Sequence, residues 1–111
     1  MNSLTYESLK EVFDGGKNLN GKPIVMDFYA DWCGPCKVFE PIFDEVAEEY
    51  KDRIDFYKVN SEENQELSVM FRLMSITNIV MISNSGEVSV VPGATSMDTF
   101  KYYIEGLISK E

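Results

Sequence analysis

The sequence predicts an α/β fold: a mixed four-stranded β-sheet, with room for a fifth short N-terminal strand, flanked by about four α-helices. Apolar runs of strand length alternate with stretches in which apolar residues recur every three or four positions. The last two strand-like runs are separated only by Ser83-Asn84-Ser85-Gly86, short enough for an antiparallel hairpin. At 111 residues, 44% hydrophobic and 13% aromatic, with no internal repeat or linker, the chain is expected to form one domain over 1–111.

Leu9, Val12 and Phe13 fall at helical spacing behind Thr5 as a candidate cap, with Gly15-Gly16 to stop that helix. Ile24 to Tyr29 is nearly continuously apolar and suits a strand covered on both faces, with Asp27 its one charged member. From Pro35 to Tyr50, Val38, Phe39, Ile42, Phe43, Val46, Ala47 and Tyr50 trace one helical face. Lys37, Glu40, Asp44, Glu45, Glu48 and Glu49 lie opposite. Pro41 falls inside this helix and removes one backbone hydrogen bond, so a kink is expected there. Ile54 to Val59 reads as a second strand, and Leu67, Met70, Phe71 and Met74 mark a helix. Met70, Met74 and Met81 are expected in the core. Ile79 to Ile82 and Glu87 to Val91 form the hairpin strands. Ser96 then caps a closing helix with Asp98 in its first turn and Phe100, Tyr103, Ile104, Leu107 and Ile108 buried.

Nineteen acidic against ten basic residues give a net charge of −9, which opposes the phosphate neutralisation that nucleic acid or an anionic membrane requires. Neither is an expected partner, and no apolar stretch is long enough for membrane insertion. Met1 to Thr5 has neither a basic start nor an apolar signal core. A cytoplasmic location is therefore expected, with a periplasmic or exported one left open if a signal peptide has been removed. The absence of histidine removes Ser-His, Cys-His and His-ligated metal sites.

The two cysteines stand three positions apart, at Cys33 and Cys36. A structural crosslink across so short a loop gains little, so a reversible pair is the better reading. Trp32-Cys33-Gly34-Pro35-Cys36-Lys37 lies where the first long strand gives way to the long helix, placing both cysteines at a helix N-terminus. Unpaired N–H groups and the helix dipole there stabilise a thiolate, the species that attacks a disulfide. Cys33, the outermost, is the expected nucleophile, and Cys36, one turn further in, is placed to resolve the mixed disulfide. Pro35 gives up only an N–H that the first turn leaves unused, and Gly34 is expected to allow a tight turn. A bare Cys-x-x-Cys also looks like half a zinc site.

The stretch Asp27-Phe28-Tyr29-Ala30-Asp31-Trp32-Cys33-Gly34-Pro35-Cys36-Lys37 resembles the active-site segment of the thioredoxin family. The resemblance runs on through Pro41, Lys58, the hairpin and Gly93, with the family's first strand shortened or absent. It implies the thioredoxin fold and reduction of protein disulfides through a mixed disulfide on Cys33, without an organic cofactor or metal. It also implies a monomer whose partners are disulfide-containing proteins and a thioredoxin reductase or membrane dithiol donor. Asp27 then corresponds to the family's buried carboxylate, with a pKa raised by desolvation, exchanging a proton with Cys36. The plain alternative is a strand carboxylate reaching solvent. Lys58 corresponds to the lysine near that carboxylate, or is simply an exposed strand lysine. Trp32 either shields the disulfide and meets partners or serves packing. Gly34, Pro35, Ile76, Thr77 and Gly93 complete the implied substrate-binding surface, Gly93 by permitting close backbone approach. Tyr29 stands where many members carry tryptophan.

The main departure is Ser75-Ile76-Thr77-Asn78, where the family carries a cis-proline facing the cysteines and this chain carries Thr77. A cis bond before a non-proline residue costs about 3 to 4 kcal/mol, so the Ile76–Thr77 peptide is expected to be trans. Altered docking of extended substrates, and hence weak or selective reductase activity, is one consequence. Another is space beside Cys33 for zinc or an iron–sulfur cluster held by two thiolates from each of two chains. A third reading takes Thr77 as an engineered or neutral local replacement. A disulfide-donating oxidase and a non-catalytic thioredoxin-fold binding module are the alternatives to the reductase, although the Gly34-Pro35 spacer resembles the reducing members.

Overall fold

The computed structural model describes residues 2–14, 17–73 and 77–109. In chain order the elements are β1 (Asn2–Ser3), α1 (Tyr6–Leu9), β2 (Phe13–Asp14), β3 (Lys17–Asn18), β4 (Ile24–Tyr29), α2 (Gly34–Tyr50), β5 (Asp55–Asn60), α3 (Gln65–Met70), β6 (Asn78–Ile82), β7 (Val88–Pro92) and α4 (Met97–Ser109). The main sheet is ordered β1-β5-β4-β6-β7, and β2 pairs with β3 in a separate two-stranded ribbon. β1, β5 and β4 are parallel, whereas β6 and β7 run antiparallel to their neighbours. The expected α/β fold is therefore present, and β1 supplies the fifth short strand.

β4 occupies the centre because its sequence suits burial on both faces. Val25 packs with Ile79, Met81, Phe39, Phe43, Phe100 and Ile104 on the side of α2 and α4. Ile24, Met26 and Phe28 pack with Leu4, Leu9, Leu67 and Val80 on the opposite side. The Phe43 ring lies 5.7 Å from both Phe56 and Phe100 and 6.1 Å from Phe39. Aromatic pairs of this kind add about 0.5–1.5 kcal/mol each beyond the area they bury. The β6–β7 turn closes with the Gly86 N–H donating to Ser83 O at 2.9 Å. Gly86 has φ 91°, a conformation that disfavours a side chain.

Several expectations are corrected. The first helix does not reach Val12 and Phe13. Thr5 caps it and shares a capping box with Ser8, but it ends at Leu9, and Phe13 pairs with Asn18 in the ribbon. Asn18 ties that ribbon down by donating from Nδ2 to Lys22 O at 2.9 Å and Ser83 O at 2.8 Å. Gly15-Gly16 lies outside the described residues. Val38 is 73% exposed, because it shares a helical row with half-buried Ile42 and exposed Glu45 and Glu49 rather than with Phe39 and Phe43. α3 stops at Met70, which is exposed, while Met81 is buried as expected. Met74 lies outside the described residues. Arg72 at φ 57° ends α3, with its N–H on Val69 O at 3.1 Å and the Leu73 N–H on Ser68 O at 2.9 Å, a Schellman arrangement without glycine. Ser96 caps α4 through a 3.2 Å bond from the Thr99 N–H to Ser96 Oγ. Among the described residues no helix is long and apolar enough to cross a membrane.

Candidate active site

The parallel strands β4 and β5 end together at Tyr29 and Asn60, and the chain leaving β4 turns at once into α2. Sites in α/β sheets form at such carboxyl ends. Cys33 is the N-cap of α2, and its Sγ accepts the Cys36 N–H at 3.2 Å. That places the sulfur on one of the N–H groups left unpaired at a helix start, where the dipole favours negative charge. Cys33 and Cys36 form a disulfide with their Cα atoms 5.3 Å apart. In this oxidised form Cys33 is 5% and Cys36 8% exposed, so accessibility does not single out the outer sulfur; position on the helix does. Ala30 and half-buried Tyr29 pack against the pair.

Trp32 is 64% exposed, which removes core packing as its role. Pro35 lies in the first turn of α2, as expected. Gly34 needs no special conformation: a side chain there would meet nothing within 4 Å, and the tight-turn reading does not hold. Gly93 lies close against the Thr77–Asn78 backbone. Its N–H donates to Thr77 O at 3.0 Å, and an added Cβ would lie 3.0 Å from the Thr77 carbonyl carbon and 3.1 Å from the Asn78 nitrogen. Phe28 pairs with Asn78 and Asn78 with Pro92, so Thr77 and Gly93 fall at the same end of the sheet as the disulfide. Ile76, and with it the Ile76–Thr77 peptide, lies outside the described residues.

Asp27 is 6% exposed and sits opposite Lys58 in the β4–β5 register. Burial pushes its pKa up to about 7, against the lowering pull of Lys58 and with smaller upward contributions from Glu40 and Asp44. The carboxyl therefore does not reach solvent as an ordinary strand residue would. It shares a pocket of about 80 Å³ with Cys36, Tyr29, Ala30, Asp31, Lys37 and Glu40. Lys58 is not a free strand lysine either. Its Nζ lies 2.9 Å from Asp44 Oδ1 and 3.6 Å from Glu40 Oε2. Burial alone would lower its pKa, but these carboxylates and Asp27 raise it overall. The sequence pattern alone assigns Glu40 and Asp44 only to the solvent face of α2. The 36, 40, 44 spacing, one row along the helix from Cys36, is the signal that would have found them.

Among the described residues no group of three or more Cys, His, Asp or Glu side chains is placed to hold a metal. A helix-capping cysteine bonded to a second cysteine one turn inward, above a buried carboxyl, is a thiol–disulfide redox site. The thioredoxin family model matches residues 5–106. The chain is 38% identical over 84 residues to a thioredoxin of Borreliella burgdorferi, covering 76% of this chain and 72% of that one. It is 34% identical over 83 residues to thioredoxin 1 of Nostoc, covering 75% and 78%. To thioredoxin-T of Drosophila melanogaster it is 43% identical over 75 residues, which span 68% of this chain and about half (48%) of that relative. The chain belongs to the thioredoxin family.

Proposed function

We propose that this chain, acting as a single monomeric domain over 1–111, reduces disulfides in partner proteins. The observation that carries the reading is Cys33 as the cap of α2, its Sγ on the Cys36 N–H. In the reduced state the Cys33 thiolate attacks one substrate sulfur; an S–S bond forms to Cys33 and the substrate's second sulfur leaves as a thiolate. Asp27 takes the proton of the Cys36 thiol, and the Cys36 thiolate attacks Cys33 Sγ, releasing the substrate's first sulfur. The substrate gains two electrons and the pair is left as the disulfide. Lys58 supports the ionised form of Asp27 across the strand. Trp32, Gly34, Pro35, Thr77 and Gly93 form the surface on which substrate lies, and the same substrate-binding role is assigned to Ile76, which lies outside the described residues. Recharging needs a dithiol donor, a thioredoxin reductase or a membrane dithiol protein, and the cytoplasm supplies the reducing setting.

Insulin disulfide reduction under dithiothreitol tests this, with Cys33→Ser and Thr77→Pro beside the parent. Activity in the parent that disappears in Cys33→Ser, with a gain in Thr77→Pro, is the expected result. No activity in either the parent or Thr77→Pro would favour a binding module instead.

A further inference from the structure

Asp27 and Lys58 are direct neighbours across β4 and β5, yet none of the ion pairs among the described residues includes Asp27. The Lys58 ammonium is engaged by α2 instead, at Asp44 and Glu40. Glu40 is the member of that pair that also lines the pocket joining Asp27 to Cys36. The titratable groups around Asp27 are Tyr29 on its own strand, Lys58 on β5, Asp31 in the following loop, and Cys36, Lys37, Glu40 and Asp44 on α2. β6 places only the apolar Ile79 opposite it. Lys58 and Lys37 are the cations of this set, and Lys58 is the one held by α2.

We propose that Glu40 is a positioning residue for the proton step: by sharing Lys58 with Asp44 and setting a negative charge on the pocket wall, it keeps Asp27 a base strong enough to take the Cys36 proton. Left to Lys58 alone, a buried carboxylate would be stabilised in its ionised form and would hold a proton less readily. Transfer between groups of matched proton affinity is fastest near the working pH, so weakening the base slows resolution of the mixed disulfide. The inference rests on the reductase reading above for its catalytic meaning, but not for its test.

The test follows the Asp27 carboxyl carbon by ¹³C NMR against pH in the oxidised protein, where neither cysteine titrates. The parent is compared with Glu40→Gln, which keeps the shape and removes the charge, and with Glu40→Lys, which reverses it. The Asp27 midpoint is expected to fall from parent to Glu40→Gln and again to Glu40→Lys, and the acid limb of the disulfide-exchange rate should move the same way. Glu40 is exposed, so both variants should fold; Glu40→Ala, expected to shift in the same direction as Glu40→Gln, stands in if one does not. A midpoint unmoved or raised in the folded variants overturns the proposal. Absence of insulin reduction by the parent would remove the reductase reading and leave the titration order to decide on Glu40.

Discussion

At Asp27 the fold sets a carboxyl group among apolar strand neighbours, and its pKa of about 7 against an ordinary 3.8 has a consequence for folding. Between these two pH values the folded chain holds a proton that the unfolded chain has lost, so stability falls as pH rises through that window. The full displacement corresponds to on the order of 4 kcal/mol above pH 7. Asp27→Asn removes the ionisation while keeping most of the shape. It should therefore unfold at a higher temperature than the parent at pH 8, with the advantage fading towards pH 4. Thermal unfolding of both oxidised proteins at the two pH values checks this, and an advantage of equal size at both would contradict it. Asp27 was legible from its place in an apolar strand and from the resemblance. Glu40 and Asp44 were not, because a glutamate on an acidic helix face reads as solvated until the strand beneath supplies a lysine.

Periodic elements were legible and aperiodic ones were not. β4 runs from Ile24 to Tyr29 as expected, because five buried residues followed by half-buried Tyr29 leave little choice of register. The stripes of α2 and α4 are legible except along their borders, where Val38 is exposed and Ile42, Tyr103 and Ile108 are only half-buried. α1 has just four residues, too few for a period to emerge, and the extension to Phe13 came from apolar residues that in fact serve the ribbon. α4 also contains a residue that serves neither packing nor turn. Gly106 is exposed in the helix, and a side chain there would meet nothing within 4 Å. Glycine costs a helix interior about 0.8–1 kcal/mol relative to alanine. Gly106→Ala should raise stability by about that amount, measured as a higher urea midpoint at unchanged slope. A lower midpoint would mean that the glycine has a role not visible in its surroundings.

For the molecule as a whole, the sheet order brings three separately encoded features to one end: the Cys33–Cys36 disulfide leading α2, Asp27 beneath it, and the Thr77–Gly93 contact between the segments flanking β6 and β7. The alternation of strands and helices and the Cys-Gly-Pro-Cys segment made this arrangement readable. The loop before β6 was less so, because a threonine in place of an expected proline leaves backbone geometry undetermined by local chemistry. The division of labour between the sulfurs is the centre of the account, and trapping tests it most directly. Cys36→Ser, reduced and then mixed with a disulfide-containing protein such as insulin, should accumulate a covalent adduct on Cys33 that dithiothreitol releases, while Cys33→Ser accumulates none. An adduct that forms on Cys36 in Cys33→Ser, with none in Cys36→Ser, would contradict the assignment of Cys33 as nucleophile.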